Sequence, residues 1–165
     1  VALLVTIRRS TRPHVAILGR ISGIYRNIER FPQATTIPGV LALRFDGPLH
    51  YANADFFRKT IRKSIAKTTT DPLQHIVLHA DGIPYVDASA TMMLNQLIDE
   101  LEVLNISLHL AGAIGPVRDT LDSHGLLQRF QPSALHATIE DAMAELTSGT
   151  HNDDHDAIAR QSDNP

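Results

Sequence analysis

Asp87-Ala88-Ser89 places an acid two residues before a hydroxyl, and Thr91 adds a second hydroxyl two positions further on. The segment sits between an apolar run and a helical pattern. Three chemistries use such a group. An acid near a serine can belong to a hydrolytic triad, but no Gly-x-Ser-x-Gly or other oxyanion motif supports a catalytic residue here. A serine at the start of a helix can carry a phosphate, because that end of the helix bears partial positive charge. The same position lets the Ser89 hydroxyl accept bonds from free N–H groups of the first turn. A switch and a cap therefore look alike in sequence. On the capping reading, Ser89→Ala costs about 1 kcal/mol.

Other chemistries find little support. No GxxxxGK[ST], GxGxxG or HExxH motif occurs, and no cofactor is implied. The chain has no Cys, which excludes disulfides and thiolate metal sites. Its nine histidines are scattered. His75 and His79 share a face of a strand, and His151 and His155 can share a helical face. Neither pair has a third ligand nearby in sequence, so no metal site is assigned. A net charge of −3 argues against a nucleic-acid partner.

The elements that must position Asp87 and Ser89 follow from hydrophobic spacing. The 165 residues suit one domain. Strands are predicted at His14–Gly19, Val40–Phe45, Leu73–His79 and Ser107–Ala111, with a short extended piece near Leu135. Residues 22–39 hold Gly23, Pro32, Pro38 and Gly39 and read as an irregular connection. Asn53–Thr68 reads as a helix capped by Asn53, with Asp55 in its first turn. Phe57, Ile61 and Ile65 form its apolar face, and Arg58, Lys59, Arg62, Lys63 and Lys67 a basic one. The basic stripe reads as a solvated face, balanced by the acidic helix that follows Ser89. Leu94, Leu97, Ile98, Leu101 and Leu104 keep helical spacing in that second helix. Gly115-Pro116 opens a third, which Gly125 stops. Thr138 and Asp141 resemble a capping box for a last helix to about Leu146. Alternating strands and helices imply an α/β fold with a mixed or parallel sheet.

Val1–Ile7 is apolar and runs into Arg8, Arg9 and Arg12. Alone, it reads either as a buried first strand with a basic turn or as the last two turns of a membrane helix. The chain opens on Val1 rather than Met, which points to a piece of a longer protein with a polytopic region upstream.

Three stretches resemble the cytoplasmic STAS domain of sulfate permease (SulP) family anion transporters. They are Arg12–Arg20, Tyr25–Ala34 and above all Pro38–Ala54, where a strand ending in Arg44 leads to Pro48-Leu49 and Ala52-Asn53-Ala54. His50 departs from the aromatic usual at its place. Asp87-Ala88-Ser89-Ala90 aligns with the Asp-Ser-Ser-Gly motif of the related anti-sigma-factor antagonists, whose second serine is phosphorylated by a partner kinase. Ser89 matches that serine and Asp87 the acid. Ala88 and Ala90 depart from the motif.

The resemblance implies a STAS-like sheet of about four to five strands with helices mostly on one side. Residues 1–12 become the end of the last membrane helix and a juxtamembrane linker, 13–146 the STAS domain, and 147–165 a disordered tail. The implied role is non-catalytic docking that modulates a membrane transporter of sulfate or a bicarbonate-like anion, from the cytoplasmic side. Implied partners are the transmembrane domain of the same transporter, a second copy in a homodimer, and a cytosolic regulatory protein. Asp87, Ser89 and Thr91 form the candidate phosphorylation and partner loop. The alternative is a stand-alone signalling protein switched by phosphorylation.

Overall fold

The apolar run after Pro13 becomes a strand because alternate residues can be buried on two faces. In the computed structural model, which describes residues 2–68, 71–130 and 132–148, β1 (His14–Ile21) turns into β2 (Ile24–Asn27) through Ser22-Gly23. Both turn residues have positive φ, 50° and 83°. That is the twist a two-residue hairpin needs. β1 then pairs antiparallel with β3 (Val40–Asp46). β3, β4 (His75–His79), β5 (Ser107–Ala111) and the two-residue β6 (Leu135–His136) run parallel. The sheet order is β2-β1-β3-β4-β5-β6. The sheet thus has six strands rather than four to five. The sixth comes from residues 24–27, inside the segment expected to be irregular.

The front of the sheet is covered by α2 (Ala54–Lys67), α3 (Ala88–Val103), α4 (Gly115–Ser123) and the 3₁₀ turn Leu127–Phe130. Phe57 and Ile61 of α2 and Leu94, Leu97 and Leu101 of α3 pack on Leu43, Phe45, Ile76 and Leu78. Phe57 meets Phe45 edge to face at 5.2 Å. Gly125 sits just past α4 with φ 69°, the left-handed stop expected of it. The last helix spans residues 139–148 and covers part of the rear face, burying Ile139, Ala142 and Met143 against Ala16, Leu18, Val40 and Val77. Thr138 Oγ1 accepts the N–H of Asp141, so the serine/threonine half of the capping box is formed.

The first residues depart from the strand reading. Ala2–Thr11 is a helix, α1, with no buried residue. Among the described residues, no helix is long and apolar enough to cross a membrane. The expected tail lies outside the described residues beyond Ser148, as do His151 and His155.

Candidate functional site

The four parallel strands β3 to β6 point their carboxyl ends to one edge, the edge where open α/β sheets place their binding loops. Two loops there are zipped together. Leu49 and Val86 form a parallel bridge. Leu49 N–H donates to Tyr85 O at 3.0 Å, and Asp87 N–H to Leu49 O at 3.1 Å. Gly82 makes the close approach possible, since a Cβ there would lie 2.8 Å from the Phe45 carbonyl.

Asp87 closes this arrangement. Its Oδ1 accepts from Ala90 N–H at 2.8 Å and caps α3. Its Oδ2 accepts from Tyr51 N–H at 2.9 Å and ties the β3–α2 loop to the start of α3. Thr91 is buried and donates to the Asp87 carbonyl at 2.9 Å. The cap therefore belongs to Asp87, not to Ser89. The helix begins two residues earlier than the Ser89 cap requires, so Ser89 lies within the first turn and faces solvent. Among the described residues its hydroxyl has no hydrogen bond. Both Asp87 oxygens are engaged by backbone N–H groups, so this carboxylate serves as a structural clamp.

The cap assignment reverses the expected cost of two substitutions. Asp87→Ala removes a helix cap and a loop tie and should lower stability by about 1–2 kcal/mol. Ser89→Ala should fall within about 0.5 kcal/mol of the parent, as for other exposed positions. Urea unfolding of both variants tests this order, and a larger loss at Ser89 would restore it as the cap.

Asn53 also differs from its expected role. It stands at the cap position of α2 but does not cap it. Its Oδ1 accepts from His50 N–H, and its Nδ2 donates to the carbonyls of Ser10 and Pro48 at 2.9 and 2.8 Å. The side chain is fully buried, so these otherwise orphaned groups claim it. His50 hydrogen-bonds Ser10 Oγ through Nε2 at 3.1 Å and stacks on Tyr85 with ring centres 6.4 Å apart. The end of α1 is thus anchored to the same edge as Asp87. Around Ser89 the edge exposes large apolar groups: Tyr51 is 76% exposed, Met92 65% and Tyr85 50%. Tyr51, Tyr85 and Met92 were not singled out from sequence. Their exposure depends on which way each loop residue turns, although Tyr85 lies only two positions before Asp87.

The basic stripe of α2 is partly used inside the fold. Arg58 and Arg62 both bond Glu100 of α3, the latter at 2.9 Å. His75 and His79 do share a face, but they have separate partners. His79 Nε2 lies 3.1 Å from Asp81 Oδ2. His75 Nδ1 lies 3.1 Å from His109 Nε2, and His109 Nδ1 lies 3.1 Å from His136 Nε2. Among the described residues, no group of three such side chains is placed to hold a metal ion. Burial, then the neighbouring His75 and His136, push the His109 imidazole down to about 4.

Comparison with known proteins gives this geometry its family. Residues 31–142 match the STAS domain model. The chain is 32% identical over 146 residues to a probable sulfate transporter of Mycobacterium tuberculosis, covering 86% of this chain and 26% of the relative. It is 27% identical over 152 residues to the chloroplastic sulfate transporter 4.1 of Arabidopsis thaliana, covering 86% and 22%. Among solved structures, the murine Slc26a9 anion transporter in its inward-facing state superposes with a TM-score of 0.75 at 25% identity, over 89% of this chain and 24% of that one. A SulP transporter STAS domain from Vibrio cholerae shares the fold, with a TM-score of 0.58 at 17% identity, over 74% of this chain and 93% of that one. The chain spans about a quarter of the length of the curated relatives it matches. With its mixed sheet, its front layer of helices and this match, the chain belongs to the STAS domain family.

Proposed function

We propose that this chain is the regulatory STAS domain of a membrane anion transporter of the sulfate-permease type, and that it docks through the edge built around Asp87. One observation carries the reading. The anchor of α1, the Asp87 clamp and the exposed Tyr51, Tyr85 and Met92 all occupy the same edge. A large exposed aromatic pair beside polar loop groups is the composition of a binding surface. Residues 1–12 continue from a membrane helix in this account. The exposed Leu3, Leu4, Val5 and Ile7 of α1 fit that continuation. The domain itself performs no chemistry. Its effect is a coupling between its docked position and the transport cycle, on the cytoplasmic side of the membrane.

The exposed Ser89 hydroxyl also fits access by a kinase, the feature that the signalling alternative would use. In the transporter reading, a phosphate there adds charge beside Asp87 and weakens docking by repulsion. The same edge suits a second copy or a cytosolic regulatory protein, and the following test separates these occupants. The chain has no cysteine, so a single one can be introduced into it. In the full-length transporter freed of other cysteines, Tyr85→Cys should cross-link to the membrane region through a short bifunctional reagent. Val103→Cys, exposed at the far end of α3, should not. A Tyr85→Cys product that contains only two STAS domains or a foreign protein would remove the docking assignment.

A further inference from the structure

A second site lies on the rear of the sheet, where β1 leaves α1. A cleft of about 500 Å³ is lined by His14, Arg26, Asn27, Arg30, Phe31, Arg44 and Asp46. Three guanidinium groups open onto it and only one carboxylate. That carboxylate is already committed. Arg44 grips Asp46 with two bonds, Nε to Oδ1 at 2.7 Å and Nη2 to Oδ2 at 3.0 Å, and His14 Nδ1 adds a third contact at 3.0 Å. Burial alone would raise the Asp46 carboxyl. The bonds from Arg44 and His14 outweigh it and hold the group below the usual carboxylate range.

The other two arginines are differently placed. Among the described residues, no ion pair engages Arg26 or Arg30. Arg26 lies over the Phe31 ring at 5.5 Å, which restrains its guanidinium at the cleft without neutralising it. Asn27 is buried, and its Oδ1 accepts from Glu29 N–H at 2.9 Å. That bond fixes the amide, and its nitrogen is the half left to donate. The cleft therefore offers the unpaired guanidinium forks of Arg26 and Arg30, the remaining N–H groups of Arg44 and an amide donor, with net positive charge after Asp46 is counted. Such forks match the oxygens of a tetrahedral dianion.

We infer that this cleft binds a tetrahedral oxyanion, sulfate or a phosphate group, between Arg26, Arg30 and Arg44. The inference rests on the cleft alone and not on the docking edge. It is tested on the chain as it stands, so its failure leaves the docking reading untouched.

The experiment titrates sulfate into the protein at constant ionic strength, with chloride as the balancing anion, and follows the arginine Nε–Hε signals by NMR. Constant ionic strength matters because general screening would otherwise mimic binding. The parent should saturate, with Arg26, Arg30 and Arg44 moving together. Arg26→Gln with Arg30→Gln should weaken sulfate by at least about tenfold, since each lost charged hydrogen bond is a substantial share of such an affinity. Asp46→Asn should tighten it several-fold by removing the competing carboxylate. Arg118→Gln, on α4, should change nothing. Opposite signs at Asp46 and at the arginine pair cannot arise from loss of fold. Vesicles of phosphatidylglycerol form the second arm. Binding to vesicles with the same arginine dependence, but not to free sulfate, assigns the oxyanion to a lipid headgroup. A response that follows total salt, or a double variant that binds sulfate and vesicles like the parent, overturns the site.

Discussion

Lowering the pH from about 7 to about 4 should cost the parent chain about 3 kcal/mol more stability than it costs the His109→Gln variant. The reason is the row of imidazoles across β4, β5 and β6. His109 is buried and sits between His75 and His136, while His136 Nδ1 faces Glu145 of the last helix at 3.5 Å. Each nitrogen–nitrogen contact needs one ring to donate and the other to accept. A second proton on His109 makes both its nitrogens donors, so it can no longer accept from either neighbouring imidazole. Charge also accumulates in a poorly solvated place.

The folded His109 titrates at about 4, against an ordinary 6.5. Between these values the unfolded chain binds the proton and the folded chain does not. Stability therefore rises with pH across this window and is lost as pH falls through it. The gap of about 2.5 pH units, at about 1.4 kcal/mol each, sets the upper size of the effect. Burial also holds His75 low, which deepens the loss in the same direction. Gln at 109 keeps a donor and an acceptor but does not titrate in this range. Urea unfolding of both proteins at a series of pH values measures the difference. Parallel curves would show that His109 is not responsible.

This row was not legible in the sequence. His75, His109 and His136 lie 34 and 27 positions apart along the chain. Nothing in a single sequence fixes the parallel register that places Val77 opposite His109 and Ala111 opposite His136. The strands carrying His75 and His109 were legible from their apolar runs. The front core was legible too, because Phe57 and Ile61 repeat at helical spacing and α3 keeps its leucines on one face.

β2 was hidden for a different reason. Ile24–Asn27 has only four residues, and its face pattern is weak beside the turn glycine and the later prolines. Its partner β1 supplies the order. Asp87 and Ser89 illustrate the limit at helix ends. Both are good caps, and a shift of two residues in the helix start decides between them. Sequence patterns locate such boundaries only to a few residues. Asn53 shows how tertiary demand overrides local preference. Its amide is drawn to Ser10, Pro48 and His50, a need that exists only after α1 reaches the edge.

On the docking proposal, Ser89 matters for what it faces rather than for what it holds. Among the described residues its hydroxyl has no hydrogen bond to lose, and it lies beside Tyr51, Tyr85 and Met92 on the edge proposed for docking. Ser89→Glu puts a negative charge on that edge and leaves the fold intact. A negative charge in the first turn of α3 even favours the helix itself. A loss of function in this variant would therefore report on docking and not on stability. Like-charge or unpaired-charge contacts at an interface cost several kcal/mol, enough to shift a docking equilibrium by about tenfold or more.

The decisive measurement is uptake of labelled sulfate by the full-length transporter carrying Ser89→Glu, compared with the parent at equal membrane abundance. Uptake should change several-fold, with Ser89→Ala close to the parent and the isolated Ser89→Glu domain unfolding at the parent's urea midpoint. Uptake by Ser89→Glu equal to that of the parent would contradict the assignment of this edge as the regulatory docking surface.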